Sequence, residues 1–132
     1  MFEKLKKGDK KTFVKKVKPE DVAAFESGRV HDVYATFALA RDAEWCCRLF
    51  VIDCKKEDEE GIGTKLNIEH SAPAFIGESV SFTAEVDTIK GNELICTFEA
   101  YVGKRLIAKG VQGQKILKKQ KINQHFEHLK AQ

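Results

Sequence analysis

Three side chains in this sequence carry chemistry if the fold brings them together: Thr36, Glu44 and His70. Glu44 stands inside the run YATFALARDAEWCCRLFVIDC, between Ala43 and the sole tryptophan, Trp45. From Phe37 that run meets no proline or glycine before Gly61, and its apolar residues fall on every side, which predicts a long buried helix over 34–54. A carboxylate inside such a helix is either paired or shifted in pKa. Arg48 at i+4, the favourable order for a helix pair, and Arg41 three residues earlier are the two structural partners on offer. Left unpaired, Glu44 is a general base or a nucleophile. His70 ends TKLNIEH, where alternation sends Leu66, Ile68 and His70 to one face and Lys65, Asn67 and Glu69 to the other. A histidine on an apolar face is a satisfied core residue or a proton-transferring partner, since imidazole is the side chain that changes charge near neutrality. Thr36 precedes the helix, where its hydroxyl can cap a free N–H of the first turn. The same N–H groups suit a developing oxyanion.

The elements that must position these groups follow from the pattern around them. TFVKKV, from Thr12 to Val17, reads as a first strand with Phe13 and Val17 on one side. PEDVAAF, with proline in the first turn followed by two acids, predicts a short helix closed by Gly28. After Gly63 the period becomes two: TKLNIEH is a strand, SAPAFIG breaks it, and Val80, Phe82, Ala84 and Val86 alternate in the next. A third strand puts Leu94, Cys96, Phe98, Ala100 and Val102 on one face, and Gly103-Lys104 predicts a two-residue hairpin loop of type II′. Gly110 and Gly113 in the fourth strand mark a bulge or a close approach of backbone. Long strands joined by short turns make an antiparallel meander, and the helix is the one element able to cover its inner face. Residues 119–132 space Ile122, Phe126 and Leu129 as one face of a short amphipathic tail helix, outside a single domain over 1–118.

Composition narrows the function classes. A net charge of +3, with lysines crowded near both ends, reads as solvated faces rather than a nucleic-acid or membrane surface, although it would help to attract a phosphate-bearing substrate. No apolar run is long enough to cross a bilayer and the first ten residues lack the core of a secretory signal, so a cytoplasmic location is expected. Cys46, Cys47, Cys54 and Cys96 have the spacing of neither a disulfide framework nor a zinc site, and read as small hydrophobes. His125 and His128, three apart on the tail, are not expected to hold a metal.

The residues also carry a resemblance. VYAT ending at Thr36, AEWCC carrying Glu44 and GTKLNIEHSAPAFIGESVSFTAEV carrying His70 resemble, in order and spacing, the fluoroacetyl-CoA thioesterase branch of the hotdog acyl-CoA thioesterases. The resemblance covers residues 12–118. It implies an α+β hotdog fold, a bent antiparallel sheet wrapped around one long central helix. It implies hydrolysis of a small or medium acyl-CoA by Thr36, Glu44 and His70, without metal or redox cofactor, in a homodimer or higher oligomer with acyl pockets near the subunit interface. The specialist for fluoroacetyl substrates has a bulky aromatic in the approach segment, at a position that falls near Val30, so fluoroacetyl-CoA itself is not the expected substrate. Lys65, Lys104 and Arg105 are candidates for contacting CoA. A hotdog hydratase usually has aspartate five residues before its histidine, where this chain has Lys65. A non-catalytic module that binds acyl-CoA as ligand or sensor is the alternative, and pairing of Glu44 with Arg48 would mark it.

Overall fold

The computed structural model describes residues 2–132. In chain order the elements are β1 (Lys10–Lys16), a single 3-10 turn (Pro19–Asp21), β2 (Val22–Phe25), β3 (Gly28–Tyr34), α1 (Thr36–Cys54), β4 (Glu59–His70), β5 (Ser79–Lys90), β6 (Glu93–Val102), β7 (Arg105–Lys118) and α2 (Lys119–Lys130). Five strands form one antiparallel sheet in the order β1-β5-β6-β7-β4, and β2 and β3 pair separately as a hairpin. The period-two pattern places Val80, Phe82, Ala84 and Val86 of β5 and Leu94, Cys96, Phe98 and Ala100 of β6 in the core. They face Leu39, Ala43, Cys46, Cys47, Phe50 and Val51 of α1. Register shifts in β4, β5 and β7 add local twist, and the sheet bends around the helix as the sequence predicts. Gly103, at φ 57°, leads the two-residue loop between β6 and β7, as its turn type requires. Gly110 is a close approach: a Cβ there would lie 2.0 Å from the Asn67 carbonyl oxygen.

Three expectations need correction. The stretch PEDVAAF is not a helix. After its one 3-10 turn, Asp21 points inward to ion pairs with Lys15 and Arg41, and the backbone N–H of Ala35 bonds the Asp21 carbonyl. The chain from Val22 therefore runs as a strand, and Gly28, at φ 113°, opens β3 of the hairpin rather than closing a helix. Nor is α1 enclosed on every side, because one sheet covers only one of its faces. Phe37, Trp45 and Ile52 remain exposed in the single chain. The helix also starts at Thr36, since Tyr34 still belongs to β3 and Ala35 is extended.

Candidate active site

Local structure at the start of α1 brings Thr36 to His70. The backbone N–H of Tyr34 bonds the carbonyl of Ala74, and Val33 bridges Phe75, so β3 is tied to the segment that follows β4. His70, the last residue of β4, lies opposite buried Ala108 and thus faces the helix, as alternation predicts. Its Nδ1 is 2.9 Å from the Thr36 hydroxyl. Thr36 is the first helical residue and not the cap: the cap position is Ala35, and no side chain caps the helix. The first-turn N–H groups and their partial positive charge are left for another acceptor beside the Thr36–His70 pair.

A network that the sequence reading did not identify fixes this helix start. Buried Tyr34 donates its hydroxyl to Asp42. Arg41 donates to Asp42 through Nε at 3.1 Å and through a terminal nitrogen at 3.0 Å, and to Asp21 at 3.0 Å. Burial drives the Tyr34 phenol far above its usual range, and the bond to Asp42 adds to the shift. Burial pushes Asp21 upward, but the Lys18 backbone N–H, Arg41 and Lys15 outweigh it and hold the carboxyl below its usual range. The network leaves Arg41 no role at Glu44. Its only sequence signal was three charged residues within a helix too apolar to be fully solvated.

Glu44 lies two turns along α1 from Thr36, about 12 Å in axial rise, so within one chain it does not join the Thr36–His70 pair. Its carboxylate rests on β4 at Gly63, where a Cβ would stand 3.0 Å from Oε1. Among the described residues it has no hydrogen bond or ion pair. Arg48, its i+4 neighbour, turns away to Glu60 at 2.6 Å and to the Gly61 carbonyl at 3.1 Å. Both structural explanations for a carboxylate at this position are therefore absent. Gly63, read from the sequence only as a packing glycine, is the position whose missing side chain makes room for it.

The remaining candidates separate cleanly. Arg105 is committed to the 73–78 segment, reaching Glu78 through two bonds of 2.9 and 2.7 Å and Pro73 O at 2.8 Å, while Phe75 lies under its guanidinium. Lys65 and Lys104 are exposed and unpaired among the described residues. Val30 is exposed on β3, and the aromatic over the helix start is Phe25, edge-on to Phe37 at 5.9 Å between centroids. The thiols are unpaired, with Cys46, Cys47 and Cys96 buried, and burial pushes Cys46 up to about 11.

Comparison with known proteins places the fold and the family. The closely superposing structures include a Thermus thermophilus hypothetical protein, TTHA0967, described as a thioesterase superfamily member. It is 34% identical, with 96% of this chain and 93% of that chain covered and a TM-score of 0.89. The fluoroacetyl-CoA thioesterase FlK superposes at 22% identity over 94% of this chain and 96% of its own, with a TM-score of 0.87. A hot-dog-like protein from Thermanaerovibrio acidaminovorans does so at 20% identity over 92% and 90%, with a TM-score of 0.84. No curated protein matches the chain. The family described as fluoroacetyl-CoA-specific thioesterase, FlK, matches residues 17–120, from the end of β1 to the start of α2, and the chain belongs to that family.

Proposed function

We propose that the protein is an acyl-CoA thioesterase that hydrolyses a small or medium acyl-CoA to the free acid and CoA, working as a homodimer with each site shared between subunits. The observation that carries this reading is the unpartnered Glu44 carboxylate on the same helix whose uncapped start holds Thr36 against His70. β4 is a sheet edge, with Leu66 40% exposed on its helix-facing side. An edge of this kind invites a second strand. A two-fold axis through Asn67 sets β4 antiparallel to its copy with Leu66 opposite the partner's Ile68 and Lys65 opposite the partner's Glu69. The inner pair is apolar and the outer pair oppositely charged, both favourable across strands. The register shift at Gly63–Lys65, already used against β7, then sets Gly63 opposite the partner's His70. Glu44, resting on Gly63, thereby meets the partner's His70 and the partner's Thr36, which its own chain holds roughly 23 Å away along the strand.

In that site the thioester carbonyl oxygen turns to the free N–H groups of one helix start, and Glu44 of the other subunit acts on the carbonyl carbon. As general base it takes a proton from water as the water oxygen attacks. As nucleophile it forms a mixed anhydride that water then opens. In both cases the tetrahedral oxyanion is held by the helix start, and its collapse breaks the C–S bond and expels CoA as the thiolate, which takes its proton from Glu44 on the general-base route and from solvent on the anhydride route. Label found in the Glu44 carboxylate after a single turnover in heavy-oxygen water would identify the anhydride route, opened by water at the Glu44 carbonyl carbon. Exposed Lys104 is the candidate for the CoA phosphates, since the strand pairing sets Lys65 against the partner's Glu69. The protein needs no metal or redox cofactor, and a cytoplasmic site of action suits an acyl-CoA substrate. Among the described residues no helix is long and apolar enough to cross a membrane.

The alternative reading, a non-catalytic acyl-CoA-binding module, called for Glu44 to be neutralised by Arg48, and Arg48 is engaged with Glu60. Thiol release measured across a panel of acyl-CoAs tests the proposal. We expect turnover by the parent and a loss of roughly a hundredfold or more in kcat for Glu44→Ala and for His70→Ala. Variants as fast as the parent would reject the assignment, and a parent that binds acyl-CoA but releases no thiol would favour the alternative.

A further inference from the structure

Gln112 is a buried amide without a hydrogen bond. It is 1% exposed, its Oε1 is enclosed with no partner, and among the described residues nothing bonds its Nε2. Gln114, two residues on and on the same face of β7, shows the contrast: its Nε2 donates to the Cys47 carbonyl at 2.9 Å. A buried amide left unpaired costs stability, and such groups are uncommon in folded chains. Leucine at 112 would fill the same space without that cost, so the amide calls for an explanation outside the protomer's own packing.

Its place in the sheet supplies one. Gln112 lies between Leu66 of the β4 edge and buried Cys96 of β6. Gln114 next to it lies opposite Gly63, the residue on which Glu44 rests. Two residues along a strand are about 7 Å, so the amide stands one step from the Glu44 carboxylate, on the helix-facing side of the sheet. One step further, Phe98 fills the space over Gly110, its ring carbon 2.6 Å from where a Cβ would be. On the helix-facing side of the sheet the amide therefore stands between the Glu44 carboxylate and the Phe98 ring.

We propose that Gln112 reads the acyl group of the substrate, its amide bonding a hydroxyl on the carbon next to the thioester carbonyl or one beyond it, and that the substrate class is a short hydroxyacyl-CoA. This rests on the thioesterase reading given above and narrows it. Neither the donor nor the acceptor end of the amide is satisfied, and a hydroxyl, which both donates and accepts, answers whichever end is presented. A keto or halogen substituent answers only the donor end. A plain alkyl chain answers neither and strips water from the amide, which is how a polar pocket rejects the analogue that lacks the partner group.

Matched substrates that differ by one hydroxyl test this: glycolyl-CoA against acetyl-CoA, and 3-hydroxybutyryl-CoA against butyryl-CoA. The parent should favour at least one hydroxyacyl member by about tenfold or more in kcat/KM, as one added hydrogen bond allows. Gln112→Leu and the more adaptable Gln112→Met should lose that preference, slowing on the hydroxyacyl member and gaining on the alkyl one, with melting temperatures at or above the parent's. A parent without preference for either hydroxyacyl substrate, or variants that keep the parent's ratio, would overturn the proposal. If the parent hydrolyses none of the four, the thioesterase reading falls on its own, and titration calorimetry with the same pairs decides this one: equal affinities in parent and Gln112→Leu refute it, and a hydroxyl preference lost in the variant upholds it.

Discussion

Asp42 and Glu44 are two carboxylates two residues apart on one helix, and the fold treats them in opposite ways. Asp42 is closed off: it accepts the Tyr34 hydroxyl and two bonds from Arg41, and the same terminal nitrogen of Arg41 also donates to Asp21. Glu44, half-buried over Gly63, accepts nothing, although two arginines lie within four residues of it in sequence. Arg41 and Arg48 are both drawn elsewhere. A carboxylate whose lone pairs are all used holds structure. One from which nearby cations have been diverted is poised for a substrate or a partner subunit. On the function proposed, the helix start serves stability and its middle serves chemistry, and the contrast can be tested from both sides.

The largest effect expected is a recovery. In the proposed homodimer Glu44→Ala and His70→Ala should each disable both sites, whereas the hybrid of the two should retain one intact set. Mixed, unfolded and refolded together, or co-expressed, the two inactive variants should return roughly a quarter of parental turnover, since half the dimers are hybrids and each has one working site. A site contained within one chain would yield no recovery at all. That outcome would leave Glu44 two turns from the pair it is meant to serve, and would break the assignment of chemistry to the helix middle.

Next in size is the stability contrast. Asp42→Asn removes the charge that holds Arg41 and weakens the bond to a fully buried phenol, and should cost about 2–3 kcal/mol in denaturant unfolding. Glu44→Gln, which breaks no bond in the protomer, should stay within about 0.5 kcal/mol of the parent while losing most of its turnover. Equal costs at the two positions would mean that Glu44 has a structural partner in the assembled protein.

The sequence made some of this legible and hid the rest for identifiable reasons. Period-two alternation located the face of His70 and the inner faces of β5 and β6, because each strand packs one side on the helix. Spacing along α1 located Glu44 but not its isolation, since i+4 geometry favours a pair with Arg48 that Glu60, twelve residues on in β4, takes away. The stretch at Pro19 reads as a helix start by every local rule, yet Asp21 is pulled inward by Lys15 and Arg41, contacts that no local window contains. Gln112 gave no signal at all, because a glutamine in an alternating strand differs from its neighbours only once its partners, or their absence, can be seen.

The smallest effect belongs to Asp21, on the closed side of the comparison. Burial raises its carboxyl, but the Lys18 N–H, Arg41 and Lys15 together hold it below the ordinary aspartate value of 3.8. A folded-state value below the unfolded one means that the unfolded chain binds more protons, so this group's stabilisation is complete above about pH 4 and disappears as pH falls through the folded value. Asp21→Asn resembles the protonated acid. The stability gap between parent and variant should accordingly be constant from pH 7 to about pH 5 and narrow steadily below pH 4. Thermal melts of both proteins across that range measure it. A gap that stayed constant into acid would mean that the Arg41 network holds by shape and not by charge, and that the closed and open carboxylates of α1 differ less than their hydrogen bonds imply.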